Sequence, residues 1–479
     1  MKRPVITFLL TIGTLHAAFV PDFKLKPDDY TVLMAADAKL SADLTPFQPA
    51  GHGKFFVQGW HRADQLAEWK ISANKAADYA VNVLVNRNGN QALRLDVAAA
   101  GKNLTTTLPV DGKRWQRIAL PGTLAFPTGE SSVTLRLVPS EGSSDFDAQV
   151  HSLEFVRPAV RDALHEKALR LRADTTWFQQ ARYGIMVHWT KQSMPRNGDP
   201  KSYDQAVADF NVEAFADQMK HTGAGFVLIT TSHALQYFPA PLSSLDRILP
   251  GRTSRRDLVA ELATALDRRG LKLMLYYHLG ASDDPDWLKA CGFWETDTSR
   301  LFNNWQAVIS EAGQRYREKL AGWWFDDGST NYYYRSAPWE KLDRAAKAGF
   351  PRRLVAFNPW ELNSPTEFHD FFTGEGFQDP RGYNELLVSG GNGRYPSGTH
   401  HGLQASACLI TEGDWVHSRK DAAIGNPQWN PDQLAGLLKG FLEYRNVPIF
   451  NMEIYQEGAV SPQSVELFRQ AASKLPPKS

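Results

Sequence analysis

The first third of the chain alternates apolar with polar residues in short runs, as in the segments 79–85, 93–97 and 133–137. A period of two places every second side chain on the same face of a β-strand. Turn-forming residues separate the runs, for example at 86–90 and 139–142. This pattern predicts an all-β sandwich, in which one face of each strand is buried against a second sheet.

The pattern changes near residue 160, where a helical, mixed-charge segment begins. After this segment, apolar strand-like runs alternate with runs of helical periodicity, such as 212–221, 255–269 and 431–444. Eight strand–helix units in about 300 residues favour a (β/α)8 barrel over an open sheet. No glycine-rich phosphate loop follows the first strand, which argues against a dinucleotide-binding fold. The predicted strands are 184–189, 226–231, 271–277, 322–326, 353–357, 368–373, 405–411 and 448–451.

The N-terminus is typical of an export signal. Lys2 and Arg3 precede the mostly apolar run 5–15, and the small residues Ala17 and Ala18 offer a cleavage site. The run is too short to cross a bilayer, and no later run is long enough. The alternative interpretation is a hydrophobic first strand. We therefore expect a secreted or periplasmic protein without membrane insertion.

The predicted fold class is α/β, with a (β/α)8 barrel of the TIM type preceded by a smaller, jelly-roll-like β-sandwich. The predicted parts are a signal peptide at 1–18, the sandwich at 19–158, a linker helix at 159–176 and the barrel at 177–475. The sandwich also resembles carbohydrate-binding modules, although a purely structural appendage has the same strand pattern.

Composition narrows the classes of partner. The 53 basic and 52 acidic residues nearly cancel, so no broad electrostatic surface for nucleic acid or anionic membrane is expected. The 14 Trp, 15 Tyr and 26 Phe residues suit a protein that binds sugar rings, or simply one with large cores.

Disulfides do not organise the fold, since the chain has only Cys291 and Cys408, and whether these two pair is not readable from the sequence.

Polar and aromatic residues stand at the ends of most predicted barrel strands. Function in such barrels sits at the carboxyl ends of the strands. One polar residue there is commonly structural, whereas a set around the same mouth indicates a site. The candidates for ligand contact are His188, Trp189, His233, Tyr277, Trp324 and Trp415.

Two carboxyl groups among these strand ends suit glycoside hydrolysis, which uses one as nucleophile or base and one as acid. Alternation places Trp324 and Asp326 on one face of the fourth strand and Asp327 on the other. If Trp324 faces the barrel, Asp326 points into the site and Asp327 braces a turn. Glu375, after the sixth strand, is the second candidate.

Several segments resemble, in order along the chain, the α-L-fucosidases of glycoside hydrolase family 29. They are 177–189, 215–233, 256–262, 270–277, 324–328, 370–375 and 444–454. The resemblance implies a retaining exo-glycosidase that acts on an oligosaccharide or polysaccharide and needs no metal or cofactor. It implies Asp326 as nucleophile and His188 as a sugar-binding residue.

The general acid is less firmly tied to a motif. We predict Glu375 in that role, with Glu361, Glu412 and Glu453 as rivals. His188 and His233 are predicted to hydrogen-bond sugar hydroxyls, and Trp324 with nearby aromatic residues to wall the sugar ring.

The chain departs from the family at two sugar-contacting positions. Ala234 stands where a second histidine is usual, and Pro359 stands where an arginine is usual. These departures leave open a related glycosidase for L-galactose or a substituted fucose. A barrel that binds sugar without catalysis is the remaining alternative, which the intact segment 324–328 disfavours.

Overall fold

A computed structural model describes residues 23–47, 56–88, 92–108, 115–139, 146–278, 284–293, 295–326, 337–359, 364–374, 392–396 and 400–477. The predicted signal peptide at 1–18 lies outside these residues. Among the helices that the structure describes, none is long and apolar enough to cross a membrane.

The N-terminal part consists of thirteen described strands in two sheets. The strands are β1 Lys24–Leu25, β2 Thr31–Met34, β3 Lys39–Leu40, β4 Thr45–Phe47, β5 Phe56–Trp60, β6 Ala67–Ala73, β7 Ala77–Asn88, β8 Leu93–Ala99, β9 Lys102–Thr107, β10 Trp115–Ala119, β11 Leu124–Phe126, β12 Gly129–Pro139 and β13 Asp147–Val156. One sheet has the order β1-β6-β12-β8-β9, with β3 beside β6. The other has the order β10-β7-β13-β5-β4, with β11 beside β7 and β2 beside β13.

Both sheets bury one face in a shared apolar core, as the alternating sequence predicts. Val81 and Val83 of β7 lie in the same cluster as Leu95 of β8 and Leu135 of β12. Leu84, which points the other way, belongs instead to the apolar cluster that surrounds the barrel. The sandwich therefore packs one outer face against the C-terminal part.

A single helix, α1 Pro158–Leu171, connects the sandwich to the barrel. Lys167 of α1 forms a 3.0 Å ion pair with Glu340, and His165 pairs with Glu367. Because both acidic partners belong to the barrel, the helix is fixed along the barrel wall.

The C-terminal part has the eight parallel strands that the sequence predicts. They are β14 Gly184–Val187, β15 Phe226–Ser232, β16 Lys272–His278, β17 Leu320–Asp326, β18 Leu354–Phe357, β19 Phe371–Phe372, β20 Gln404–Ile410 and β21 Val447–Met452. Their order is β18-β17-β16-β15-β14-β21-β20-β19, which is a nearly closed barrel. The prediction of a (β/α)8 barrel after a β-rich domain is confirmed.

Most helices pack around the strands and bury their apolar faces on the outside of the barrel, whereas the first of them places Phe178 in the interior cluster. They are α2 Thr176–Ala181, α3 Tyr203–Asp209, α4 Val212–His221, α5 Ser243–Ile248, α6 Leu258–Asp267, α7 Pro285–Ala290, α8 Ser299–Tyr316, α9 Trp339–Ala346, α10 Pro431–Glu443 and α11 Pro462–Ser473. Short 3-10 helices occur at Ala35–Asp37 and Arg317–Lys319.

The seam between β18 and β19 is joined through Asp370 rather than through a strand ladder. The backbone amide of Val355 donates to Asp370 Oδ2 at 2.8 Å, and the Asp370 amide donates to the Val355 carbonyl at 2.8 Å. Lys347 Nζ lies 3.1 Å from the other carboxyl oxygen. This arrangement explains why the predicted strand 368–373 is only two residues long.

Candidate active site

Side chains on the barrel strands alternate between the interior and the helical layer. On β17, Trp324 belongs to the interior cluster, whereas Trp323 and Phe325 pack among the helices. Asp326 is two residues beyond Trp324 at the carboxyl end of the strand, so both point inward. The face predicted for Asp326 is the one it takes.

Two hydrogen bonds orient the carboxylate of Asp326, a residue that is only 8% exposed. The Tyr276 hydroxyl donates to Oδ2 at 2.5 Å, and Asn358 Nδ2 donates to Oδ1 at 2.9 Å. Tyr276 is on β16, beside β17, and Asn358 directly follows β18. Donors from both neighbouring strands thus hold the carboxylate at the mouth.

Three histidines, His188, His233 and His278, stand at the carboxyl ends of the consecutive strands β14, β15 and β16. The ring centroid of His233 is 5.3 Å from that of His188 and 5.4 Å from that of His278. Burial, together with the neighbouring His233, lowers the pKa of His188 to about 3. His188 is therefore neutral near pH 7 and can serve as a hydrogen-bonding group for a ligand.

Aromatic rings form the floor and one wall of the site. Trp324 stacks on Tyr276 with ring centroids 5.1 Å apart, and it is 1% exposed. It lies one layer below Asp326 and supports Tyr276. Trp415, on the segment after β20, is 5.2 Å from the His188 ring and packs against the interior cluster. The structure thus brings Trp324 and Trp415 together with His188, His233 and Asp326.

Two of the predicted ligand-binding residues point away from the site, and the structure corrects them. Trp189 packs among the helices and donates from Nε1 to the Gln456 carbonyl at 2.8 Å. Tyr277 also faces the helical layer, beside Cys291. Each follows an inward-pointing residue, His188 or Tyr276, and consecutive strand residues take opposite faces.

This correction can be tested with a matched pair of variants. Tyr276→Phe removes a hydrogen bond to a carboxylate, so we expect a loss of about tenfold or more in kcat/KM. Tyr277→Phe is expected to change kcat/KM less than about twofold. Within the described part of the chain, the buried Tyr277 hydroxyl has no hydrogen-bond partner, so its removal should leave the unfolding free energy unchanged or slightly raised. Equal losses in both variants would contradict the opposite orientations of the two side chains.

Glu375, the predicted general acid, lies outside the described residues, and so does its rival Glu361. Asp327, the residue after Asp326, is also outside them. The chain is placed as far as Gly374, whose carbonyl accepts a 2.7 Å hydrogen bond from the Cys408 amide inside the barrel. The role of Glu375 stays a prediction.

The two described rivals for the acid role have other partners. Glu412 accepts hydrogen bonds from Ser464 of α11 at 2.5 Å and from the backbone amide of Glu453 at 3.0 Å. Glu453 is paired with His417 at 3.0 Å. Glu412 therefore faces the helical layer, although burial raises its pKa to about 7.

Replacing Glu412 by Gln separates a structural from a catalytic role. Its raised pKa means that the native state binds the proton more tightly than the unfolded state, whose pKa is about 4.5. Stability then falls as the pH rises from about 4.5 to 7, at up to about 1.4 kcal/mol per pH unit. Glu412→Gln is expected to flatten this slope in urea unfolding and to keep turnover. A large loss of turnover would return Glu412 to the role of acid.

Four residues of the site were given no role from the sequence. Tyr276, His278 and Asn451 stand at predicted strand ends, whereas Asn358 was not singled out. In the parallel pair β16–β17, Tyr276 lies opposite Trp324 and His278 opposite Asp326. Neighbouring residues in a sheet share a face, so extending the alternation from β17 to β16 would have found Tyr276 and His278. No comparable signal gives the roles of Asn358 and Asn451, which are asparagines within or beside otherwise apolar strands.

Among the described residues no group of three or more His, Cys, Asp or Glu side chains is arranged to hold a metal ion. Cys291 and Cys408 are both buried free thiols, the first in the helical layer and the second inside the barrel.

Comparison with known proteins shows which family the chain is similar to. Residues 201–381, just over a third of the chain, match the family model described as alpha-L-fucosidase. This part of the barrel is similar to the α-L-fucosidases. The resemblance found in the sequence is thereby confirmed.

These relatives are distant and partial. The tissue α-L-fucosidase of Bos taurus is 30% identical over 138 residues, which are 22% of this chain and 29% of the bovine protein. That of Homo sapiens is 26% identical over 194 residues, 33% of this chain and 39% of the human protein. The chain thus spans about a third of the length of these curated relatives. A solved family 29 α-L-fucosidase from Bacteroides thetaiotaomicron aligns with a TM-score of 0.46 at 16% identity, over 63% of this chain and 74% of its own.

The α-L-fucosidase match includes Asp326, His233 and Asn358 but ends before Trp415. It also includes Ala234 and Pro359, the two positions at which the sequence departs from the family. Ala234 has a φ of +60°, and a tight turn at this residue joins the Leu235 amide to the His233 carbonyl at 2.7 Å. The residue that follows His233 at the mouth therefore has only a methyl side chain, and its backbone conformation is strained.

Proposed function

We propose that the protein is a retaining exo-glycoside hydrolase of α-L-fucosidase type that acts on fucose-containing glycans. The observation that supports this most is the Asp326 carboxylate, buried at a strand end and oriented by Tyr276 and Asn358. Beside it lie the neutral His188 and the Trp415 ring, which suit the hydroxyls and the apolar face of a sugar.

In the proposed reaction, an Asp326 oxygen attacks the anomeric carbon as the glycosidic bond breaks. The result is a covalent glycosyl-enzyme, and Glu375 protonates the leaving oxygen. Glu375 then removes a proton from water, which displaces Asp326 and releases the sugar with its original anomeric configuration. The hydrogen bonds from Tyr276 and Asn358 keep one carboxylate oxygen aimed at the sugar and reduce the cost of orienting it.

The experiment that tests this function is hydrolysis of a panel of aryl glycosides of fucose, galactose, glucose, xylose and rhamnose in both anomeric forms. The proposal expects release of the aryl group from α-L-fucosides, and from their L-galactose analogues if the pocket admits a 6-hydroxyl. Hydrolysis confined to an unrelated sugar, or binding without any hydrolysis, would contradict it.

A second candidate is a glycosidase of the same fold for L-galactose, a substituted fucose or a fucosyl unit within a larger glycan. It is favoured by Ala234 and Pro359, neither of which offers a side-chain hydrogen bond where the family has a histidine and an arginine. Asn358, which directly precedes Pro359 in the chain, already donates to Asp326.

This candidate leads to an expected substrate preference. Each missing hydrogen bond to a neutral hydroxyl weakens the binding free energy by about 0.5–1.5 kcal/mol, and the loss of a bond from a charged group weakens it by more. We therefore expect kcat/KM for a simple aryl α-L-fucoside to be at least about tenfold below that for an extended or substituted fucosyl glycan. Efficient cleavage of the simple fucoside, unimproved by any larger substrate, would show that the two substitutions matter little.

Export and sugar binding by the sandwich complete the proposal. Lys2, Arg3 and the apolar run 5–15 support export. N-terminal sequencing of the protein from culture medium or periplasm checks cleavage after Ala18.

Sugar binding by the sandwich is tested by retention of the Asp326→Asn variant on immobilised fucosylated glycan, with and without residues 19–158.

A further inference from the structure

Asn451 contacts two separate parts of the candidate site. It lies on β21, is fully buried, and has the side-chain oxygen Oδ1 at 2.7 Å from His188 Nδ1. Its side-chain nitrogen Nδ2 donates to the backbone carbonyls of Asp414 and Trp415, at 3.3 and 3.1 Å. One amide therefore holds both the His188 ring and the segment that carries Trp415.

The two carbonyls determine which way the Asn451 amide is turned. A carbonyl oxygen only accepts hydrogen bonds, so the group that faces Asp414 and Trp415 must be the NH2. The oxygen of the amide then faces His188. Because an amide oxygen has no proton to give, His188 Nδ1 must carry the hydrogen of this bond.

The other ring nitrogen of His188 is left as an acceptor. In a neutral imidazole with a proton on Nδ1, Nε2 has a free lone pair. Within the described residues no hydrogen bond engages Nε2, which lies across the ring from Asn451. The same ring contacts Tyr276 and His233, with centroids 4.8 and 5.3 Å away.

We propose that Asn451 is a positioning residue that fixes His188 as the Nδ1–H tautomer, so that Nε2 accepts a hydrogen bond from a sugar hydroxyl. The same amide holds Trp415 against the His188 ring, so the acceptor and the aromatic wall keep a constant geometry. The part of this inference that concerns sugar rests on the proposed function.

The proposal defines the chemistry of the ligand at this position. Nε2 without a proton accepts only from a donor, so the sugar must present a free hydroxyl there. An O-methyl or O-acetyl group at the same carbon has no proton to give and leaves Nε2 desolvated and unpaired.

The tautomer can be measured directly by nitrogen-15 NMR of the imidazoles in the full-length, ligand-free protein near pH 7. The His188 signals are assigned by their absence in His188→Gln. We expect a protonated Nδ1 and an unprotonated Nε2 in the unmodified protein. An Nε2–H tautomer, or a charged imidazolium, would overturn the proposal without reference to any activity.

Variants at Asn451 test the positioning role. In Asn451→Ala we expect His188 to shift toward the Nε2–H tautomer, and kcat/KM for the preferred glycoside to fall about tenfold. Asn451→Asp still accepts from Nδ1–H but adds a negative charge, so His188 should stay protonated to a higher pH. The matched control is Asn446→Ala, a buried asparagine just before the opposite end of β21, which should change kcat/KM less than about twofold.

The outcomes separate this proposal from the proposed function. An unchanged His188 tautomer and unchanged kcat/KM in Asn451→Ala would overturn the role of Asn451. An Nδ1–H tautomer that depends on Asn451, in a protein that hydrolyses no glycoside of the panel, would support the positioning and overturn the function instead.

Discussion

Asp326→Asn is expected to lower kcat/KM by at least about a thousandfold, because the amide cannot form the covalent glycosyl-enzyme. The substitution is nearly isosteric, so the effect on folding should be small. The introduced amide keeps an oxygen that can accept from Tyr276 or Asn358, which limits the disturbance of the site. Initial rates on the best substrate of the glycoside panel, with circular dichroism and a thermal melt as folding checks, measure both quantities.

The adjacent Asp327 supplies the matched control. Alternation assigns it to the other face of the strand, so Asp327→Asn is expected to reduce stability with turnover largely retained. Comparable turnover in Asp326→Asn and the unmodified protein on any good substrate would refute the assignment of the nucleophile.

Glu375→Ala is expected to have the second largest effect, a loss of about 10²–10⁴ in kcat on substrates with poor leaving groups. Substrates with good leaving groups should lose much less in the first step, because they depart without a proton. Added azide should restore part of the rate, since a small anion can attack the glycosyl-enzyme without a general base. The measurement is a series of aryl glycosides of graded leaving-group pKa, with and without azide.

Glu412→Ala is the comparison that decides this assignment. Its contacts with Ser464 and with the Glu453 amide predict a change in stability rather than azide-dependent recovery. If Glu412→Ala is rescued by azide and Glu375→Ala is not, the assignment of the acid to the sixth strand is wrong.

The barrel was predictable because its buried parallel strands are continuous apolar runs, which differ from the amphipathic helices between them. Helix α4, Val212–His221, has the predicted bounds, since Asn211 caps its first turn by accepting from the Ala214 amide. The sixth strand was predicted too long. Asp370 replaces part of its ladder with a side-chain hydrogen bond to Val355, and a sequence pattern does not contain this tertiary contact.

The site was predictable where a family motif and the alternation of side chains along a strand agreed, as for Asp326. It was mispredicted where aromatic residues were chosen without regard to which face of the strand they occupy. Tyr277 was preferred to Tyr276 and Trp189 was added to His188, although neighbours on a strand take opposite faces. Asn358 donates to Asp326 and Asn451 accepts from His188, and each pair joins strands far apart in sequence, so only the fold reveals these partners.

The most direct test of the central claim is to trap the glycosyl-enzyme. A 2-deoxy-2-fluoro-fucosyl fluoride should react with a retaining enzyme, because its good leaving group permits the first step while the fluorine slows hydrolysis of the intermediate. Mass spectrometry of the digested protein is expected to find the sugar on the peptide with Asp326 and to find none in Asp326→Asn. A sugar attached to a different carboxylate, or release of a product of inverted configuration with no adduct, would contradict the account.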